Sequence, residues 1–251
     1  MHQIFLKIIT GILAIILLTV NSSMASSDDK MTPAFSTEEK TAINQMIRDY
    51  ILNNPEILPE AIRILQSRAK KALLEQHYIR LYEDGYSYVG GNKNGDVTLI
   101  EFLDYNCGYC KRALSIVNKL IKEDGNLRVI YKEYPILSES SYTASKAAMA
   151  SMKQGKYPEF HAALMQNTGD LTDNRIFELA RAVGLDEQIL AKDMTSPILE
   201  RNIQINHSLA KAFEIRGTPG YIIGDIIAPG AVPYEELVAM IDQTRRLAQK
   251  K

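Results

Sequence analysis

Cys107-Gly108-Tyr109-Cys110 is where residue type and spacing spell out a reaction. Two thiols with two residues between them can cycle between a dithiol and an internal disulfide, passing through a mixed disulfide with a partner protein. The apolar run from Val97 to Tyr105 (VTLIEFLDY) reads as a strand buried on both faces. The segment from Cys107 to Glu123 reads as a helix, so the pair falls where strand hands over to helix. The free N–H groups of a first helical turn and the positive end of its dipole favour a thiolate there. In such sites the thiol pKa falls to roughly 3.5–7.5, against about 8.5 for free cysteine. Cys107 is therefore expected to be the attacking sulfur, and Cys110, one turn further on and more buried, the resolving one. Gly108 allows the tight turn, and Tyr109, which adds no charge, is expected to contact substrate.

Two charged residues in apolar strands need explaining. Glu101 lies six residues before Cys107 in the first strand. A charge buried there costs several kcal/mol, and a carboxyl of raised pKa beneath the cysteines could exchange the Cys110 proton. Lys132, in the second strand (LRVIYKEY), is a candidate partner for Glu101. Other uses of the cysteine pair remain open. A structural disulfide would gain little by closing so short a loop. A metal site needs more ligands, and His77, His161 and His207 lie far away in helical stretches, although two thiolates alone could hold soft Cu(I). The expectation is no metal and no cofactor besides the Cys107–Cys110 disulfide. Thr218-Pro219 precedes a third apolar strand and suits a tight turn. Composition gives no reason for a cis bond there, since only about 5–6% of X–Pro bonds in folded proteins are cis.

These residues need a scaffold, and the chain is long enough to build one. Its 251 residues are 46% apolar and 24% charged, a globular composition. A net charge of −1 gives no electrostatic case for nucleic acid. Two cysteines exclude a disulfide-rich scaffold and a four-cysteine zinc site. Residues 1–25 read as a secretory signal: Lys7, an apolar run from Ile8 to Val20, then Ser23-Met24-Ala25 at the cut. Export would place the protein in an oxidising compartment, the periplasm of a Gram-negative cell, with association at the outer membrane left open.

After a polar leader (26–34), Ser36 and Glu39 form a capping box. Ile43, Met46, Ile47, Tyr50 and Ile51 then make one apolar helical stripe. A second helix, regular from about Pro59 to Leu81, carries Leu58, Leu65, Ala72 and Ile79 seven apart. Two helices cannot bury such stripes alone: either they pack on the rest of the chain or, as is expected here, residues 36–82 pair with copies in a homo-oligomer. Residues 26–83 are assigned to this helical region and 84–251 to a catalytic domain. Within the latter, Glu83 to Asp96 reads as loop. Val97–Tyr105, the cysteine helix and Leu127–Tyr134 form a βαβ unit with parallel strands. Helical patterns alone fill about 138–216, and a strand pair (Gly220–Ile223, Ile226-Ile227) and a final helix (Pro233 to Arg246) close the chain.

Together, the acid six residues before CxxC, the helical insertion and Gly-Thr-Pro before the penultimate strand resemble the DsbA-like branch of the thioredoxin-fold thiol–disulfide oxidoreductases, over about residues 95–247. The fold class implied is α/β: a thioredoxin fold with an all-helical insertion, preceded by a helical oligomerisation region similar to that of ScsC-like proteins. The resemblance implies a cis Pro219 facing the cysteines, with the Thr218 backbone pairing an extended substrate segment. It implies Glu101 as the buried acid and Lys132 as its charged neighbour. Gly-Tyr between the cysteines and Thr before the proline are like those of the DsbC isomerases, which implies a potential nearer the isomerase range of roughly −180 mV than that of strongly oxidising DsbA. The partners implied are cysteine-containing exported proteins and a membrane redox partner. The competing reading is a chaperone or Cu(I)-holding module without turnover.

Overall fold

The strand pattern of alternating phases sorts the apolar residues of the sheet onto two faces, and each face is covered by helices. The structure, a computed structural model, describes residues 35–249; the expected signal sequence and most of the polar leader lie outside them. The chain divides into two compact units, with the boundary between Ala61 and Ile62.

In the first unit α1 (Thr37–Asn53) begins at the expected capping box: Glu39 N–H donates to the Ser36 hydroxyl, and Ser36 N–H to the Glu39 carboxylate. None of its residues is buried, and Met46, Ile47 and Tyr50 are exposed. The boundary falls within α2 (Ile57–Gln76), which also buries no residue. The periodic run read as one helix to Leu81 breaks at His77, and α3 (Tyr78–Tyr82) follows. Leu81 is fully buried, and Leu73, Leu74 and Tyr82 pack beside it against the sheet. The end of the expected oligomerisation region is therefore part of the catalytic unit's core, because these side chains cover an apolar sheet face that would otherwise be wet.

The sheet has five strands in the order β1-β3-β2-β4-β5. They are β1 (Tyr88–Gly91), β2 (Val97–Leu103), β3 (Leu127–Glu133), β4 (Gly220–Ile223) and β5 (Ile226–Ala228). β2 and β3 are parallel, as a strand–helix–strand crossover requires, with α4 (Gly108–Asp124) between them. Strand β1 corrects the reading of 83–96 as loop: it runs antiparallel to β3 at the edge of the sheet. Its YVGG sequence hides it, since two glycines are weak strand formers. Gly91 at φ 66° turns the chain away, where a Cβ would lie 2.4 Å from the Leu127 carbonyl oxygen.

On one face Val97, Leu99, Leu103, Val129, Tyr131 and Ile223 pack under α4 and the helical insertion. The insertion comprises α5 (Glu139–Ser151), a 3-10 turn (Met152–Gln154), α6 (Tyr157–Gln166), α7 (Asp173–Ala182), α8 (Glu187–Met194) and α9 (Pro197–Ala212). The final helix, α10 (Tyr234–Ala248), joins this face through Leu237 and Ile241. On the other face Ile100, Phe102, Ile130 and Ile222 meet Leu81, Leu209, Phe213 and Ile215.

Candidate active site

Strand β2 ends at Leu103, and Cys107 is the N-cap of α4, in extended geometry with φ −79° and ψ 115°. Its N–H donates to the Asp104 carbonyl at 3.1 Å, which closes the turn between strand and helix. Cys107 is 7% exposed, Cys110 only 1%, and both thiols are free. The Cys107 thiol is pushed down to about 5. The first cause is the Cys110 thiol donating to the Cys107 sulfur; the Thr218 side chain and the N–H groups of Cys110 and Tyr109 add to it, against burial. The same contact and burial push Cys110 far up, and the Glu101 charge adds to this. These contacts favour the anion at Cys107 and a retained proton at Cys110. Tyr109 is 59% exposed beside them, with the Arg112 guanidinium 4.4 Å from its ring centre.

The Thr218–Pro219 bond is cis. Thr218 faces the cysteine: the Cys107 thiol donates to its carbonyl oxygen at 3.0 Å, and its buried hydroxyl meets no other partner among the described residues. Ionisation of Cys107 removes that donor and frees the Thr218 carbonyl for an incoming N–H.

Glu101 is 3% exposed, in the middle of β2 rather than at a wet end. Its neighbours in register are Tyr131 of β3 and Tyr221 of β4. Burial raises its carboxyl to about 8, the Tyr221 hydroxyl opposes that from 3.5 Å, and Glu133 adds to it. A carboxyl raised to about 8, whose charge acts on Cys110 once it ionises, suits the expected proton exchange.

Lys132 does not join it. In parallel register Lys132 lies opposite Phe102, so period-2 alternation sends it to the other face of the sheet. There it is fully buried, donates to the Arg80 carbonyl at 2.7 Å and forms an ion pair with Asp84. The expected Glu101–Lys132 pair is thereby replaced by a Lys132–Asp84 pair that fastens the segment after α3 to the sheet.

Glu133 is the residue that sequence reasoning missed. It shares the phase of Glu101 and is 2% exposed. Its Oε1 accepts from the Tyr157 hydroxyl at 2.7 Å and the Tyr105 hydroxyl at 2.9 Å. Burial raises it to about 7, against the pull of the Tyr157, Ser145 and Tyr105 hydroxyls. Tyr105 also lies 3.0 Å from His161 Nδ1. A phenol has one hydrogen, so if Tyr105 donates to Glu133 the proton of the second contact belongs to Nδ1. Burial pushes His161 down to about 4, which keeps the imidazole neutral. The available signal was the strand phase itself, which puts an acid two positions beyond Tyr131 toward the cysteine helix.

His77, His161 and His207 form no metal-ligating group with the cysteines: among the described residues no cluster of three or more His, Cys, Asp or Glu could hold a metal ion. No described helix is long and apolar enough to cross a membrane.

Comparison with known proteins agrees with this geometry. Residues 98–242 match the DSBA-like thioredoxin domain, and residues 39–72 match the copper resistance protein ScsC N-terminal domain. A thioredoxin-like oxidoreductase from Silicibacter pomeroyi is 40% identical with a TM-score of 0.66, the match covering 67% of this chain and 97% of that one. A Proteus mirabilis ScsC linker-deletion mutant is 31% identical with a TM-score of 0.66, covering 87% of this chain and 99% of that one. The thiol–disulfide exchange protein alpha-DsbA2 from Wolbachia pipientis is 29% identical with a TM-score of 0.66, covering 71% and 97%. Among curated proteins, the Na(+)/H(+) antiporter NhaA 1 of Salinispora arenicola is 25% identical over 156 residues, 61% of this chain, and the match spans 24% of that protein's length. With the cysteine turn, the cis-proline loop and the helical insertion all in one matching stretch, the chain belongs to the DsbA-like thioredoxin domain family.

Proposed function

We propose that the protein is a thiol–disulfide oxidoreductase acting on cysteine-containing exported proteins. The observation that carries this is the Cys107 sulfur, pushed down to about 5 at the start of α4 while Cys110 beside it keeps its proton. In the reducing direction the Cys107 thiolate attacks one sulfur of a substrate disulfide. That S–S bond breaks, the departing sulfur leaves as a thiolate, and a mixed disulfide forms. In the molecules whose Glu101 has ionised, Cys110 then gives its proton to that carboxylate and attacks Cys107, releasing the second substrate thiolate and leaving the Cys107–Cys110 disulfide. Run backwards, the same steps oxidise a substrate dithiol: protonated Glu101 returns its proton to Cys110 as the Cys107–Cys110 bond opens, and is left as the carboxylate. The Thr218 carbonyl and the cis Pro219 hold the substrate strand alongside, and Tyr109 offers it an exposed ring.

Isomerisation is the finer reading. The exposed apolar residues of α1 and the similarity of residues 39–72 to the ScsC N-terminal domain support a homo-oligomer through residues 36–82, and the Gly-Tyr dipeptide between the cysteines supports the isomerase reading. Two or more linked sites would hold a misfolded substrate while thiolates exchange. The amino-terminal pattern supports export to the periplasm, where a membrane redox partner would restore the disulfide. Recovery of activity from scrambled ribonuclease tests this. The native chain is expected to exceed a Cys107→Ser variant, and equal recovery removes the isomerase assignment.

The name of the matched N-terminal domain, from a copper resistance protein, favours a second reading in which the two thiols hold Cu(I) without turnover. Stoichiometric Cu(I) binding, with no exchange of insulin disulfides, would select that reading instead.

A further inference from the structure

Asp104 is fully buried at the end of β2, three residues before Cys107, and takes no part in the exchange steps above. Both carboxylate oxygens act only as acceptors, and all four donors are neutral. Oδ1 accepts from the Asn106 N–H at 2.8 Å and the Ser141 hydroxyl at 2.7 Å. Oδ2 accepts from two successive backbone N–H groups, Ile136 at 2.8 Å and Leu137 at 3.0 Å. The two oxygens therefore serve different parts of the molecule. Oδ1 holds the turn that carries Cys107 and ties it to α5. Oδ2 holds the segment after β3, whose Ile136 and Leu137 side chains are 36% and 54% exposed. The Asp104 carbonyl accepts the Cys107 N–H, so the same residue fixes the cysteine's backbone. Asn106 reinforces the junction, since its side-chain amide lies 2.9 Å from the hydroxyls of Ser138, Ser140 and Ser141.

Two adjacent backbone N–H groups aimed at one oxygen are a demanding arrangement. Neither donor can turn away, and a buried N–H left without an acceptor is costly. Asparagine or serine could cap the cysteine turn alone; only a carboxylate offers acceptors on both sides at once. On the oxidoreductase reading, we propose that Asp104 is a positioning residue that holds the cysteine turn and the exposed Ile136–Leu137 segment at a fixed spacing, so that a substrate resting on the one presents its sulfur to the other.

The two oxygens can be separated by substitution in the whole chain. In Asp104→Asn the amide must place its NH2 on one side. The Ser141 hydroxyl can rotate and accept, whereas the Ile136 and Leu137 N–H groups cannot, so the amide oxygen stays with the segment after β3 and the Asn106 N–H loses its acceptor. This variant should loosen the cysteine turn alone. The expected result is a rise of about one pH unit in the Cys107 titration midpoint, tenfold in thiolate stability, with KM for a disulfide-containing peptide unchanged. Asp104→Ala releases both sides and should raise the midpoint and also raise KM several-fold. The midpoint is read from thiolate absorbance of the reduced protein, and the rate at which dithiothreitol reduces the oxidised Cys107–Cys110 disulfide needs no peptide docking. If both variants melt at lower temperature while midpoint and KM stay native, Asp104 is merely structural and the proposal is overturned. A higher KM with an unmoved midpoint in Asp104→Asn overturns it as well. If native protein exchanges no peptide disulfide, the oxidoreductase reading fails, and the titration midpoints still decide whether Asp104 positions the cysteine.

Discussion

At the scale of single residues, two neighbouring thiols are driven in opposite directions by one shared hydrogen. Cys107 falls to about 5 first because Cys110 donates to it. Replacing Cys110 by alanine removes that donor and leaves Thr218 and two N–H groups, so the Cys107 midpoint should rise toward the ordinary thiol range on titration by thiolate absorbance. The same shift sets a sign for stability. A thiol depressed from 9.0 to about 5 stabilises the reduced fold above the unfolded value and loses that contribution as pH falls through about 5. Denaturant melts of reduced and oxidised protein should therefore diverge in favour of the reduced form as pH rises from 5 to 9.

Glu101 has the opposite sign. Its carboxyl is raised from 4.5 to about 8, so the native state binds more protons than the unfolded chain between those values, and stability is lost as pH rises through that window. Glu101→Gln should be more stable than native at pH 7, by a margin that vanishes below pH 4.5, while the resolving step slows because Cys110 loses its proton acceptor. Equal stability at both pH values would show that the carboxyl is not destabilised by burial.

At the scale of elements, the two faces of the sheet divide chemistry from anchoring. Strand β3 carries Glu133 toward α4 and Lys132, one residue earlier, toward the segment after α3. Removing one partner of a buried ion pair leaves the other charge uncompensated, at a cost of about 3–5 kcal/mol. Asp84→Ala should therefore lower the denaturation midpoint strongly, yet leave the Cys107 titration where it is, since Lys132 lies across the sheet from the cysteines. Gly220 opens β4 directly after the cis proline, and a Cβ there would lie 2.4 Å from Ile215 Cγ2. The β-branched Ile215 is fixed in its core and cannot yield cheaply. Gly220→Ala should destabilise by about 1–3 kcal/mol and slow peptide exchange through the displaced Thr218 carbonyl, seen by comparing unfolding with exchange rates.

At the scale of the whole molecule, no apolar residue of α1 is buried among the described residues. Met46, Ile47 and Tyr50 lie within one and a quarter turns of each other and are more than half exposed, at 63%, 52% and 61%. If copies of the chain cover them, Ile47→Glu should lower the mass measured by light scattering to that of one chain and leave the cysteine chemistry intact; an unchanged oligomeric mass would place the interface elsewhere.

Sequence alone determined what local spacing can carry. The CxxC at the start of a helix, the acid six residues before it, the parallel strand pair and the capping box of α1 all follow from near-neighbour geometry, and they stand where expected. The cis state of Pro219 came from family resemblance, because nothing in a Thr-Pro dipeptide distinguishes the isomers. Tertiary structure alone decided the rest. Edge strand β1 forms because β3 offers it a row of backbone partners, not because YVGG favours a strand. Lys132 finds Asp84, and Glu133 finds Tyr105 and Tyr157, across sequence gaps that no local period spans. A buried charge takes whichever partner the packed face brings within reach, and that face exists only once the sheet has assembled.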